Sequence, residues 1–427
     1  MIIACLLLMY SVTVAQTDTP AGDDLKAEVR RLIRQLDAPQ LADRDAAEVE
    51  LLKRGPAILD LLPAATERTS AEVKQRLGRV RQKLQRAAAD AAAQASTIAL
   101  HADAMPLSKA LAEFQKQSGN TIVDYREKFG QPVTDPTLKL NFDKTPFWQA
   151  LDQLLDQAEL TVYPFSEQSA INVVAIPPGK TGARTGQAFY RGPFRFEPER
   201  IVAKRDFHEA DGGSLQVTLG VAWEPRLKII SLMQRMADVQ ATDERGKPLP
   251  VADGDAQLEV PAGGDAPAVK LDLPFRLPPR DVQQIANLKG KLTAMIPGKI
   301  ETFRFARLGE AKNVEQRIAG VTVTLEQVRK NNDVWEVRMR ARFDDAGDAL
   351  ASHRTWIFDN EAYLEGPGGK PIPFSTYETT LQGKNEVGVA YLFGADKPLK
   401  DLTFVYKTPG TIVSSEFEYE LREIKLP

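Results

Sequence analysis

An apolar stripe at helical spacing occurs twice between residues 97 and 176. Leu107, Leu111 and Phe114, with Ala110 beside them, make the first; Phe147, Ala150, Leu151, Leu154 and Leu155 make the second. Recurrence at three and four residues places each set on one helix face. Short runs of strand character flank the stripes: Ile98 and Leu100, Thr121–Val123, the strict alternation of Leu138, Leu140 and Phe142, then Leu160–Phe165 and Ala170–Ile176. The pattern predicts a small βαββαββ domain over 97–176. Ser118-Gly119-Asn120 stops the first helix. Thr145 is the expected N-cap of the second, with Pro146 at its first helical position.

Upstream, residues 24–95 read as helical hairpins, after a polar linker at Asp18–Asp23. Leu25, Val29, Leu32, Ile33 and Leu36 share one stripe. A second helix is expected over Arg44–Lys53, with Ala47, Leu51 and Leu52 inward; Gly55-Pro56 breaks it. A third covers Ala57–Leu62, and a fourth Ser70–Ala92, with Val73, Leu77, Val80 and Leu84 on one face and Ser70 as N-cap. Downstream, the Pro-, Gly- and Thr-rich stretch 177–194 reads as a linker, and beyond it strands dominate. Leu215–Val221, Trp335–Phe343 and Ser415–Leu421 alternate, the last two with polar residues on a face left to solvent. Two internal echoes appear here. Gly246-Lys-Pro-Leu-Pro recurs as Gly369-Lys-Pro-Ile-Pro, and the stretch from Leu292 to Phe305 recurs from Leu402 to Tyr419. They predict two all-β, sandwich-like domains, 195–308 and 318–425, with one large sandwich of weak internal symmetry as the alternative. The fold class expected is multidomain α+β.

The length of 427 residues fits several cores rather than one. The net charge of −3 gives no global drive toward nucleic acid or anionic lipid. Residues 1–15 read as a cleavable signal peptide: Ile2–Tyr10 is a short apolar run, and Thr13-Val14-Ala15 offers a cleavage site, although no Lys or Arg precedes the run. Ile2-Ile3-Ala4-Cys5 matches a lipoprotein box only formally, since the apolar residues follow Cys5 instead of preceding it. Cys5 is the sole cysteine, so the chain after cleavage has no thiol for a disulfide, a nucleophile or a zinc ligand. The expected location is the periplasm or the exterior, without stable membrane insertion.

Two stretches resemble known families. Arg44-Asp-Ala-Ala-Glu followed by Leu51-Leu52-Lys-Arg-Gly-Pro-Ala is similar to a degenerate HEAT-type helical pair. Leu107-Ser-Lys-Ala-Leu-Ala-Glu-Phe, Ser118-Gly-Asn-Thr-Ile-Val, and Leu138-Lys-Leu-Asn-Phe-Asp-Lys-Thr-Pro-Phe-Trp-Gln-Ala-Leu-Asp-Gln-Leu-Leu resemble the secretin/TonB short N-terminal (STN) domain. That resemblance covers about 80 residues and implies a periplasmic docking or signalling unit. The chain departs from the family in two respects: Arg126–Pro136 is longer than the family's turn, and no outer-membrane barrel sequence follows.

Candidate chemistry is sparse. His101, His208 and His353 fall in three different predicted domains, without ligand spacing around them. Asp344, Asp345 and Asp348 around Gly347 carry oxygen ligands but read as a turn. Lys74, Arg76, Arg79, Arg81, Lys83 and Arg86 make the fourth helix basic, yet no aromatic side chain is interleaved for base stacking, so nucleic acid is not an expected partner. Gly212-Gly213 and Gly366-Pro-Gly-Gly lack the Lys-Ser/Thr and helix of a phosphate loop. Trp335 and Trp356 are the candidate ligand contacts, as stacking platforms for sugar rings; as strand residues their commoner place is a core. No catalytic, cofactor or metal residue is assigned. The sequence is therefore read as a non-enzymatic exported bacterial envelope protein, an interaction or scaffold module for an envelope protein or cell-wall polymer. Two alternatives stand beside it: a carbohydrate- or peptidoglycan-binding protein using the β domains, and a hydrolase with a carboxylate pair.

Overall fold

A computed structural model describes residues 21–63, 69–164, 169–177, 179, 188–205, 208, 213–262, 266–331, 333–344, 346–394 and 399–427. The expected signal peptide, most of the expected linker and Asp345 lie outside these residues. The fold is α+β, and the chain divides into units 1–81 and 82–427.

In the first unit, α1 (Ala21–Gln35), α2 (Leu41–Lys53), a 3-10 turn (Pro56–Leu61) and the start of α3 (Ala71–Ala92) follow one another. Val29, Leu32, Leu36, Ala47, Leu51, Ile58, Val73 and Leu77 are buried. α1 begins inside the stretch read as linker, and α2 begins before Arg44. Leu52, expected inward, is half-buried, because Leu51 holds the inward position on that turn. The expected third helix is a 3-10 turn: Gly55, at φ +70°, and Pro56 leave it too short to set up an α-helical ladder. Ser70 caps α3 as expected, its Oγ accepting the Val73 N–H at 3.3 Å.

The second unit opens with β1 (Thr97–Pro106), α4 (Leu107–Ser118), β2 (Ile122–Asp124), β3 (Thr137–Pro146), α5 (Phe147–Gln157), β4 (Leu160–Tyr163) and β5 (Ile171–Ala175). β1 and β3 form an antiparallel ribbon, while β5 pairs parallel to β2 and antiparallel to β4. Each ribbon strand ends in a proline and turns at once into a helix. Thr145, expected as an N-cap, is therefore strand instead, and no side chain caps α5. The first helical N–H finds a carbonyl beside the other strand: Leu107 donates to Pro136 (3.0 Å) and Phe147 to Ser96 (2.8 Å). Asp135 also reaches the start of α4, accepting from the Ser108 N–H and hydroxyl, both at 2.8 Å. These bonds hold the Asp135 carboxyl below its ordinary range. Phe114, Phe142, Phe147, Leu151 and Leu154 fill the core between helices and strands.

The β-rich part comprises β6 (Phe189–Arg191), β7 (Phe194–Arg205), β8 (Gly213–Trp223), β9 (Ser231–Arg235), β10 (Gln240–Asp243), β11 (Gln257–Pro261), β12 (Ala268–Arg276), β13 (Gln284–Pro297), β14 (Ile300–Phe305), β15 (Lys312–Ile318), β16 (Val321–Asn331), β17 (Val334–Phe343), β18 (Ala362–Glu365), β19 (Pro371–Pro373), β20 (Thr376–Gln382), β21 (Glu386–Gly394), β22 (Thr403–Pro409) and β23 (Ile412–Lys425). β6 falls inside the stretch expected as a linker, where its pairing with β7 recruits it to a sheet. Sheets β12-β8-β7-β6 and β10-β13-β9-β11, the latter extended by β23 on β13, enclose one core that includes Phe194, Phe196, Leu219, Leu292 and Tyr419. Sheets β14-β22-β18-β19 and β15-β16-β17-β21-β20 enclose another, with Phe303, Val323, Met339, Tyr391 and Phe404.

Both sequence echoes have a structural counterpart. Asp243–Lys247 and Gly366–Lys370 close the same turn. In each, the first residue's N–H donates to the fifth residue's carbonyl and its carbonyl accepts the fourth residue's N–H, with a glycine at φ +76° (Gly246 and Gly369). The Pro-Gly dipeptides 297–298 and 409–410 face each other where two strands pass from one sheet system to the other. β13 pairs with β23 and β14 with β22. The Gly298 N–H donates to Thr411 O (2.7 Å) and the Gly410 N–H to Lys299 O (2.9 Å), so the ribbon continues through the crossover. A Cβ on Gly410 would lie 2.8 Å from both Ala319 Cβ and Gln85 Nε2. Buried Gln85 pins the crossover from α3: its amide donates to Glu301 (3.2 Å) and its carbonyl accepts the Thr411 hydroxyl (2.6 Å).

Candidate functional site

Trp335 and Trp356 pack, partly buried, against the same core but are far apart, and Trp356, expected on a strand, lies in the 3-10 turn Trp356–Asp359. Trp335 starts β17 beneath the Lys330 ammonium, 5.7 Å from the ring centroid. Trp356 meets Phe343 edge-on at 6.0 Å, at the other end of that strand, and its indole N–H donates to Ala349 O at 2.6 Å. Eight strand residues separate the two ends, roughly 27 Å. A single sugar ring cannot contact both.

The expected basic helix is spent on internal pairing along its buried side. Arg76 bridges Asp45 (2.8 Å), Glu48 (2.9 Å) and Glu72 (2.5 Å); Arg79 pairs with Glu48; Arg81 donates to the carbonyls of Leu62 and Pro63. Asp344 pairs with Arg317 at 2.5 Å. His101 lies on the β1–β3 ribbon between Asn141 (2.6 Å) and Asp143 (3.0 Å), and His208 is exposed. Among the described residues, no three His, Cys, Asp or Glu side chains are placed to hold a metal ion.

His353 meets an acid that sequence spacing did not reveal, because Glu259 is remote in the chain. Glu259 on β11 accepts from Arg354 Nε and lies 2.9 Å from His353 Nε2. Arg354 is buried and donates also to Asp348 O. The Arg354 hydrogen bond is the main cause that depresses the Glu259 carboxyl from 4.5 to about 2; partial burial opposes it, and the His353 contact adds to it. A depressed folded-state value contributes stability above the unfolded value. That contribution fades as pH falls from about 4.5 toward about 2. Glu259→Gln is expected to melt below the parent at pH 7, with the gap closing by pH 2. Calorimetric melts across that range check this, and a gap that stays constant with pH contradicts it.

Two surfaces offer candidate binding features. The first is the outer edge of β20, whose only strand neighbour among the described residues is β21. All seven residues of Thr376–Gln382 are exposed, Tyr377 and Leu381 each at 39%. Phe358 stacks on the Tyr377 ring (5.4 Å between centroids, planes 10° apart) and Phe374 meets it edge-on at 6.1 Å. Between Thr379 and Leu381 the register shifts by one residue. That shift lays Leu381 over Gly388, where a Cβ would come within 3.0 Å of the Leu381 Cβ. The second surface is a groove of about 480 Å³ lined by charged residues of β6, β13 and β23 and by the turn before β10. Neither was visible in the sequence. β20 reads as an ordinary strand until its place at the end of the sheet is known, and the groove gathers residues from four separate segments.

No protein-family model, curated protein or solved structure matches the chain.

Proposed function

We propose that this chain is a non-enzymatic, exported envelope protein that works as an interaction module, taking a strand of an envelope partner onto the open edge of β20. The observation that carries the reading is that edge. It is seven residues long and exposed on both faces. Natural sheet edges are often blunted by Lys or Pro, or by bulges such as the one at Thr379–Leu381, which leaves Thr376–Thr379 as the regular part of this edge. Thr376-Tyr-Glu-Thr-Thr-Leu-Gln holds neither Lys nor Pro, and its Thr and Tyr residues favour extended structure. Strand addition takes affinity from backbone hydrogen bonds and specificity from alternate side chains. Tyr377, backed by Phe358 and Phe374, supplies the apolar contact.

The remaining architecture is consistent with this role. The repeated strand-proline-helix order of 97–176 supports reading it as a docking unit of the secretin/TonB short N-terminal type, and the successive helices of 24–95 support reading that segment as HEAT-like. The two double-sheet cores support reading the β-rich part as two sandwich-like bodies. The apolar run near the N-terminus supports export. A second reading, glycan or peptidoglycan binding, takes its support from the same stacked Phe358–Tyr377 pair, since exposed aromatic faces also stack on sugar rings.

Lysine on the edge separates strand addition from a merely exposed strand. Tyr377→Lys and Leu381→Lys are expected to reduce partner recovery from envelope extract at least about tenfold, with Leu381→Lys close to the parent in stability and Tyr377→Lys losing about 0.5–1.5 kcal/mol with its ring contacts to Phe358 and Phe374. Slowed amide exchange along 376–382 in the recovered complex supports strand addition. Undiminished recovery by both variants contradicts it, and binding to isolated glycan lost in Tyr377→Ala favours the second reading.

A further inference from the structure

The groove of about 480 Å³ lies where the sheet around β13 is interrupted. On one edge β13 pairs with β23 along its length. On the other edge it pairs with β10 through Lys289 and with β9 from Leu292 onward. Gly290 and Lys291 fall in the window between, where the chain leaves β9, makes a 3-10 turn at Met236–Asp238 and only then enters β10. Successive strand residues direct their N–H and C=O to opposite edges. One of these two residues therefore turns a donor and an acceptor toward the window. No strand register of β9 or β10 continues through it.

Charges surround this backbone pair, and most are already matched. Lys289 pairs with Glu420 at 3.7 Å, Lys291 with Glu416 at 3.2 Å, and Asp238 with Arg235 at 3.8 Å. Arg191 and Glu418, which also line the groove, are exposed and take part in no ion pair or side-chain hydrogen bond among the described residues. A cation, an anion and a backbone donor–acceptor pair without a strand partner on that edge thus face one concavity. Its volume lies within the ~300–1,000 Å³ of small-ligand sites. The rim offers Phe189 as an apolar wall.

We infer that this groove binds a short peptide with free ends. Arg191 takes the terminal carboxylate in a two-pronged contact, Glu418 takes the ammonium, and the backbone at Gly290–Lys291 takes the amide between them. Guanidinium matches carboxylate geometry better than ammonium does, so Arg191 is the discriminating residue. This inference rests on the groove alone and is independent of strand addition at β20.

Titration calorimetry with the full chain and three probes tests it: trialanine with free ends, its C-terminal amide and its N-acetyl form. Trialanine is expected to bind saturably, the amide and the N-acetyl form each about tenfold more weakly. Arg191→Gln is expected to abolish the preference over the amide, and Glu418→Gln the preference over the N-acetyl form, each without changing the melting temperature. Saturable trialanine binding that is indifferent to both blocked ends, or unchanged in both variants, overturns the assignment, as does no saturable binding at all. Partner recovery by Tyr377→Lys reports separately on the β20 edge, so either result stands without the other.

Discussion

Glu224→Ala is expected to destabilise the unit 82–427 by about 3–5 kcal/mol, because the buried carboxylate is the shared acceptor of a partly exposed Arg226 and of two further polar side chains. Glu224 is fully buried at the end of β8. Its carboxylate accepts four hydrogen bonds: the Ser96 N–H (2.9 Å), the Ser96 hydroxyl (2.6 Å), the Asn120 amide (3.0 Å) and Arg226 Nε (2.7 Å). Arg226 is held in turn by the carbonyls of Ala92 and Gln94, and the Asn120 side-chain carbonyl accepts the Arg226 N–H at 3.1 Å. The end of α3, the start of β1, the loop after α4 and the end of β8 therefore meet on one carboxylate. Removing it leaves a guanidinium and two polar side chains without their acceptor. For a cooperative unit of about 350 residues, the entropy of unfolding near the midpoint converts this loss into a fall of roughly 4–7 °C in Tm. Glu224→Gln, which keeps the shape and one acceptor, should cost less. Denaturant melts of both variants check this; an alanine variant within ~1 kcal/mol of the parent contradicts it.

Gly290→Val is the second large effect, expected at about 2–6 kcal/mol. Gly290 pairs directly with Tyr419, and the Tyr419 ring lies across the glycine so that its hydroxyl donates to the buried Gln234 Oε1 at 3.0 Å. The ring also stacks on Phe196, 4.9 Å away. A Cβ at position 290 would stand 2.7 Å from Tyr419 Cε1, inside contact distance, and valine adds two methyls. The ring must leave. Overpacking costs about 1–3 kcal/mol, and a buried Gln234 oxygen without its donor about 1–3 kcal/mol more. Emptying the space from the other side tests the cause. Gly290→Val combined with Tyr419→Ala should be less destabilised than the sum of the single variants by at least about 1 kcal/mol. Additive effects would place the cost elsewhere.

Much of the local structure was legible. α4 and α5 occur where the stripes predict them, because an apolar face of that width has to be buried whatever it meets. β8, β17 and β23 follow the alternating runs. Thr145 was misread because a cap chosen by residue type assumes that the first helical N–H groups depend on local side chains. Here Ser96 O, brought close by the ribbon, accepts the Phe147 N–H instead. The Gly-Lys-Pro repeats were visible as text, and their shared meaning is a turn that needs a positive φ at the glycine. The candidate surfaces were not legible. His353 and Glu259 are remote in sequence, and the groove depends on where β9 ends and β10 begins against β13.

The order and type of most elements follow from the chain alone, since periodicity records which face of a segment avoids water and turn residues record where it bends. Which strands lie at an edge, which charges are left unmatched and where a sheet is interrupted are pairing outcomes. They arise from contacts between distant segments, as when Ile412–Lys425 crosses to β13 and completes a sheet begun far earlier. Backbone hydrogen bonding is nearly blind to side-chain identity, so one-dimensional pattern carries little record of which strand a given edge will choose.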